Sequence, residues 1–165
     1  MEKSKIVSLK KLKDLDKKIL KNLIIDSNQS FNQIAEKLNT TRQHISQRIR
    51  KLRENNIIEN FSIRINTSII EELQVKAYIL FREDPNPKIR KIDEKKLKNI
   101  PQISVIYRLF GKYDGIIKIY TSNLNELTEI VNRIHDIDGI KETETFIIYD
   151  RVKESEMGPI LSLLE

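Results

Sequence analysis

Residues 41–53 read Thr41-Arg42-Gln43-His44-Ile45-Ser46-Gln47-Arg48-Ile49-Arg50-Lys51-Leu52-Arg53. Amides and hydroxyls that can hydrogen-bond base edges are interleaved here with cations that can neutralise phosphates. At helical periodicity Ile45, Ile49 and Leu52 form one apolar stripe. Arg42, Gln43, Ser46, Gln47 and Arg50 fall opposite it, with His44 and Arg48 at the flanks. Such a face suits a duplex groove, but an ordinary solvated helix is written the same way. A second group of interest is Gly111-Lys112-Tyr113-Asp114-Gly115. Its glycines allow a sharp loop and Asp114 offers a carboxylate to an ammonium group, although a glycine-aspartate segment between strands is more often only a turn. The chain has no cysteine, which excludes a disulfide framework, a thiolate nucleophile and a thiolate metal site. It also lacks a glycine-rich phosphate loop, and its two histidines, His44 and His135, make no metal constellation, so neither a metal nor a cofactor is expected.

The charge of these 165 residues is unevenly divided. Residues 1–66 carry 15 basic and 7 acidic side chains, whereas residues 67–165 carry 15 and 17. This asymmetry suggests that the first half meets a polyanion; a lysine-rich solvated surface is the alternative. No apolar run reaches the length of a signal peptide or membrane span, so a cytoplasmic protein without a membrane partner is expected.

Placing the 41–53 face requires a supporting scaffold, and the preceding sequence supplies one. Leu15, Ile19, Leu20, Leu23 and Ile24 recur at helical spacing and predict a first helix over 14–24. Ser30 followed by Gln33 reads as a capping box for a short helix burying Phe31, Ile34, Ala35 and Leu38. Asn39-Thr40-Thr41 makes the turn, with Thr41 as the cap of the next helix. Asn56 is suited to a left-handed helix end, and the alternation from Ile57 to Ile65 predicts a two-stranded wing in which Arg64 reaches phosphates. Lys3, Lys5, Lys10, Lys11 and Lys13 are either a basic arm or, slightly favoured, a solubilising tail. The domain expected over 1–65 is a winged helix-turn-helix, followed by a linker over 66–74.

From residue 75 to 150 the periodicity alternates between two and 3.6. Strands are predicted around Val75–Phe81, Ile103–Leu109, Ile116–Tyr120 and Thr143–Tyr149. The intervening helices carry Ile89, Ile92, Leu97 and Ile100, then Leu124, Leu127, Ile130, Val131 and Ile134. The order βαββαβ predicts a ferredoxin-like sheet with both helices on one face, making the whole chain α+β. Residues 151–165 form an apolar-ended tail that covers an edge, a neighbouring subunit or its own subunit.

Together, several short motifs resemble the leucine-responsive/asparagine-regulator (Lrp/AsnC) family of prokaryotic, here archaeal-type, transcription regulators. They are Leu15-Asp16-x-x-Ile19-Leu20, Ile34-Ala35-x-x-Leu38, Ile45-x-x-Arg48-Ile49-x-x-Leu52, Gly111-x-Tyr113-Asp114 and Gly139-Ile140-x-x-Thr143-x-Thr145. Asn56 and Gln74 stand where that family usually has glycine. The resemblance implies a sequence-specific regulator of double-stranded promoter DNA. It further implies a homodimer built through the C-terminal sheets, in some members a tetramer or octamer. A small amino-acid-like effector would bind near Gly111, Tyr113, Asp114, Thr143 and Thr145. The DNA-contacting set expected is Thr41, Arg42, Gln43, His44, Ser46, Gln47, Arg48, Arg50, Lys51 and Arg64. Two other readings compete. Siroheme decarboxylases of haem biosynthesis resemble the same two-part architecture, but they place histidines and arginines around a tetrapyrrole, and His135 is the only histidine in this module. A protein that coats DNA with little sequence preference needs the same basic face.

Overall fold

The computed structural model describes residues 6–164, so Lys3 and Lys5 lie outside the described residues. The described residues divide into two compact units, one formed by 6–64 together with 153–164 and the other by 65–152.

In the first unit α1 spans Asp14–Ile25, α2 Phe31–Lys37 and α3 Arg42–Glu54. Each helix buries the stripe its spacing anticipates. Ile19, Leu20 and Leu23 of α1 meet Ile34 and Ala35 of α2 and Ile45, Ile49 and Leu52 of α3 in one core. The small Ala35 lets α2 and α3 approach closely. Ser30 and Gln33 close a reciprocal capping box, the Gln33 amide donating to Ser30 Oγ at 3.2 Å and the Ser30 amide to Gln33 Oε1 at 2.7 Å. Both following helix ends are asparagine Schellman turns. Asn39 has φ 49° and Asn56 φ 54°, and the amide after each reaches back to the helix, Thr40 to the Ala35 carbonyl and Ile57 to that of Leu52.

The expected wing does not form. Residues 57–65 contain no strand. The Ile57 and Ile58 amides both donate to the Leu52 carbonyl, at 2.8 and 3.2 Å, which folds these two side chains onto the helical core. The remaining alternation leaves Ile63 and Ile65 exposed. A two-stranded hairpin is marginal by itself, and alternation cannot create the surface such a hairpin would cover. A short α6, Gly158–Leu163, follows the Arg64–Glu154 ion pair and brings Ile160 and Leu164 into the α1–α3 core.

The second unit contains β1 (Val75–Glu83), α4 (Pro87–Lys98), β2 (Ile103–Arg108), β3 (Gly115–Thr121), α5 (Leu124–His135) and β4 (Ile140–Ile147). The fully antiparallel sheet has the order β2-β3-β1-β4. Ala77, Ile79 and Phe81 alternate inward and pack with Ile117 and Ile119 against Leu97 of α4 and Leu127, Ile130 and Ile134 of α5. β4 starts and ends earlier than its own alternation predicts, because its length follows pairing with β1. Ile140 is opposite Glu83 across a bulge, and after the Ile148 amide donates to Lys76 no further partner is available on that strand. Within α4 the inward position goes to Asp93 rather than Ile92, which is exposed. The segment before β1 makes two 3-10 turns. Gln74 takes a right-handed conformation, its side-chain Nε2 donating to the carbonyls of Ser68 and Ile70.

Candidate nucleic-acid interface and effector region

Thr41 starts α3 by accepting the His44 amide on Oγ1 at 3.2 Å, while the His44 ring meets Thr40 Oγ1 at 3.1 Å. With the helix phased in this way, Arg42, Gln43, Ser46, Gln47, Arg50 and Lys51 are exposed. Arg50 also approaches Glu54 at 3.7 Å, a weak pair between two exposed side chains. The surface therefore combines two amides, a hydroxyl and several cations on a capped, well-packed helix, so the side chains that would enter a groove are carried by a rigid element.

Two expected DNA contacts have other partners. Arg48 turns inward, and its guanidinium engages both carboxylate oxygens of Asp16, with Nε at 2.6 Å from Oδ1. Their side chains are 17% and 5% exposed. Hydrogen bonding to Asp16 raises the Arg48 pKa above its ordinary value. Arg48 thus fastens α3 to α1. Arg64, expected on the wing, donates to the Glu154 carboxylate at 3.1 Å and to its carbonyl at 3.3 Å.

The Gly111–Gly115 loop joins β2 to β3. Gly111 has φ 154° and open space around it, whereas a Cβ at Gly115 would run into the Phe81 ring. Asp114 does not present a free carboxylate. Its Oδ2 accepts the Glu83 amide at 3.0 Å and its Oδ1 faces the Arg90 guanidinium at 3.3 Å. Glu83, fully buried, also pairs with Arg90 at 3.0 Å and with Arg108. Hydrogen bonding to Glu83 raises the Arg108 pKa above its ordinary value. Phe81 pairs with Gly115 on one side and Thr143 on the other, which brings the loop and β4 to opposite flanks of one β1 residue. Tyr113 donates to Glu144, and Thr143 contacts the His135 ring. Thr145 lies opposite Ile79 on the edge strand.

Glu83, Arg90 and Arg108 were missed from the sequence. The parity of β1 places Glu83 inward, two residues beyond Phe81, so a buried acid needing cations was legible; which cations answer it was not. Among the described residues no group of three or more histidine or acidic side chains could hold a metal, and no helix is long and apolar enough to cross a membrane.

A capped helix-turn-helix presenting amides and cations, joined in one chain to an α+β module with helices on one sheet face, defines a DNA-binding transcription regulator. The AsnC-type helix-turn-helix domain matches residues 12–53, and the Lrp/AsnC ligand binding domain matches residues 76–157. An HTH-type transcriptional regulator of Pyrococcus abyssi is 32% identical over 146 residues, covering 87% of this chain and 96% of that protein. The HTH-type transcriptional regulator FL11 of Pyrococcus furiosus is 30% identical over 151 residues, covering 90% and 97%. Two solved structures share the fold. AsnC of E. coli has a TM-score of 0.79 at 22% identity, covering 87% of this chain and 96% of its own. The regulator NMB0573 of Neisseria meningitidis, solved as a complex with L-Met, has a TM-score of 0.83 at 15% identity, covering 91% and 99%. The chain belongs to the Lrp/AsnC family of transcription regulators.

Proposed function

We propose that the protein acts in the cytoplasm as a homodimer that reads two operator half-sites and responds to a small amino-acid-like effector. The observation that carries the DNA assignment is the exposed row on α3. Thr41, Arg42, Gln43, His44, Ser46, Gln47, Arg50 and Lys51 lie on or beside one face whose opposite side is locked into the core. Gln43 and Gln47 supply the forked amides that suit adenine, and Arg42, Arg50 and Lys51 supply cations for guanine or phosphate.

Dimerisation uses the helix-free face of the sheet. Tyr78, Leu80, Ile116 and Tyr120 are only half-buried there, with Tyr107 and Phe146 exposed beside them. A second copy of this face would cover these aromatic and apolar side chains.

The effector region comprises Gly111, Tyr113, Asp114, Thr143 and Thr145. The ligand-binding family model over this module supports it, as does the L-Met complex of a regulator with the same fold. Because both Asp114 oxygens are engaged, Asp114 acts here by positioning the loop, and Tyr113, Thr143 and Thr145 supply the contacts. The decisive experiment is selection of bound fragments from random DNA, with and without a panel of amino acids. Sequence reading predicts an affinity ratio of roughly 10³ or more between a selected site and scrambled DNA, and a ratio near unity would instead identify a coating protein. A selected site whose occupancy changes with no amino acid would remove the effector from this reading.

A further inference from the structure

Both covalent connections between the units leave the same end of the sheet. β1 begins at Val75 and the adjacent β4 ends at Ile147, with Ala77 opposite Ile147 and the Ile148 amide bonded to Lys76. In the helix-turn-helix unit these connections meet again. Arg64 ends the outgoing segment, Glu154 lies one residue into the returning one, and the two form an ion pair. Ser155 Oγ then accepts the Gly158 amide at 3.1 Å, Pro159 stands in the first turn of α6, and Leu164 is only 6% exposed within the α1–α3 core. The ligand-binding family model ends at residue 157, so the segment that buries Leu164 lies beyond what the family match covers.

We infer that residues 153–164 are a strap that determines how strictly the protein measures the distance between DNA half-sites. This inference rests on the dimeric DNA reading proposed above. A head held by one connection can pivot about it. The outgoing connection crosses at Arg64–Ile65, because residues 65–74 fold with the sheet unit as two hydrogen-bonded 3-10 turns. A second connection, anchored beside the first and finished by an apolar dock, converts that pivot into a hinge with one axis. Paired heads then present α3 faces at a restricted separation. An operator whose half-sites move by about 5 base pairs, half of the 10–10.5 base-pair turn, puts one site on the wrong side of the duplex.

The test uses full-length protein, a single half-site duplex and operators with inserted or deleted base pairs between half-sites. Wild type is expected to lose at least tenfold in affinity on a 5-base-pair displacement. Leu164→Asp, which evicts the dock, and Glu154→Gln, which removes the charge from the clasp but leaves its carbonyl contact and the dock, should keep single half-site affinity within about threefold. Leu164→Asp should reduce the spacing penalty to threefold or less, and Glu154→Gln should reduce it partway. Hydrogen exchange of α1–α3 checks that the head is folded, and if Leu164→Asp unfolds it, Glu154→Gln carries the decision. An unchanged spacing profile in a folded variant overturns the strap. Because the native chain has no cysteine, Arg64→Cys with Glu154→Cys permits a clean bismaleimide cross-link. An intrachain product is expected, and a covalent dimer would overturn the intrachain strap. If wild type showed no preference even for a single half-site, the DNA reading would fail, while the cross-link would still report the docking.

Discussion

Gln47 and Arg50 lie about one turn apart on the exposed side of α3 and suit different parts of a duplex. A glutamine amide discriminates by donating and accepting at once, while a guanidinium can also act as a phosphate counter-charge. Gln47→Ala should relax base preference at one half-site position. Arg50→Ala should weaken all sequences similarly and lower the salt slope by about 1 if it meets phosphate. Footprints and salt titrations read both, and unchanged binding in both variants would mean another surface reads the DNA. Arg48 behaves differently because Asp16 holds it. Removing the guanidinium leaves a nearly buried carboxylate uncompensated, so Arg48→Ala should destabilise the helix-turn-helix unit by about 2–3 kcal/mol in denaturant unfolding. A loss below about 0.5 kcal/mol would place this pair among weak surface bridges. Asp93 provides the pH-dependent case. Burial raises its carboxyl pKa, one oxygen has no hydrogen-bond partner, and Gly139 packs directly against it. A raised folded pKa means that the folded state holds this proton more tightly. Stability is therefore lost as pH rises from the unfolded carboxyl value through the folded one. Asp93→Asn should melt higher than wild type at neutral pH, with the advantage fading on acidification; a pH-independent difference would locate the effect in packing instead.

The helix ends show how far local code reaches. Ser30, Gln33 and Thr41 cap as their residue types and spacing predict, because a cap needs only neighbours within one turn. Asn39 and Asn56 adopt positive φ for the same local reason. Asn56→Gly should be neutral or slightly stabilising, whereas Asn56→Ala should cost about 1–2 kcal/mol in thermal or denaturant unfolding. Equal stability of all three chains would show that the turn is not strained. Local code fails where an element depends on a partner. The alternation of 57–65 reads as a hairpin but finds no surface, the limits of β4 follow β1, and α4 gives its inward position to Asp93 over the more apolar Ile92.

At the scale of the molecule the open sheet face makes a separate prediction. Leu80→Asp places a charge beside Tyr78 and Ile116 without touching the helix-facing core, so it should convert a dimer to monomers in sedimentation and leave the fold intact. A variant sedimenting as wild type would move the dimer interface elsewhere.

The sequence by itself determined the helix-turn-helix, the βαββαβ order, the basic half and the family, since periodicity, caps and composition are carried by residues near each other. Tertiary structure alone decided that Arg48 faces Asp16, 32 residues away, and that Asp114 engages the Glu83 amide 31 residues away. It alone decided that the tail returns to Arg64 across 90 residues. A long polar side chain reads alike whether it faces solvent, DNA or a buried counter-charge. Its role is assigned by what the folded chain brings within hydrogen-bonding distance.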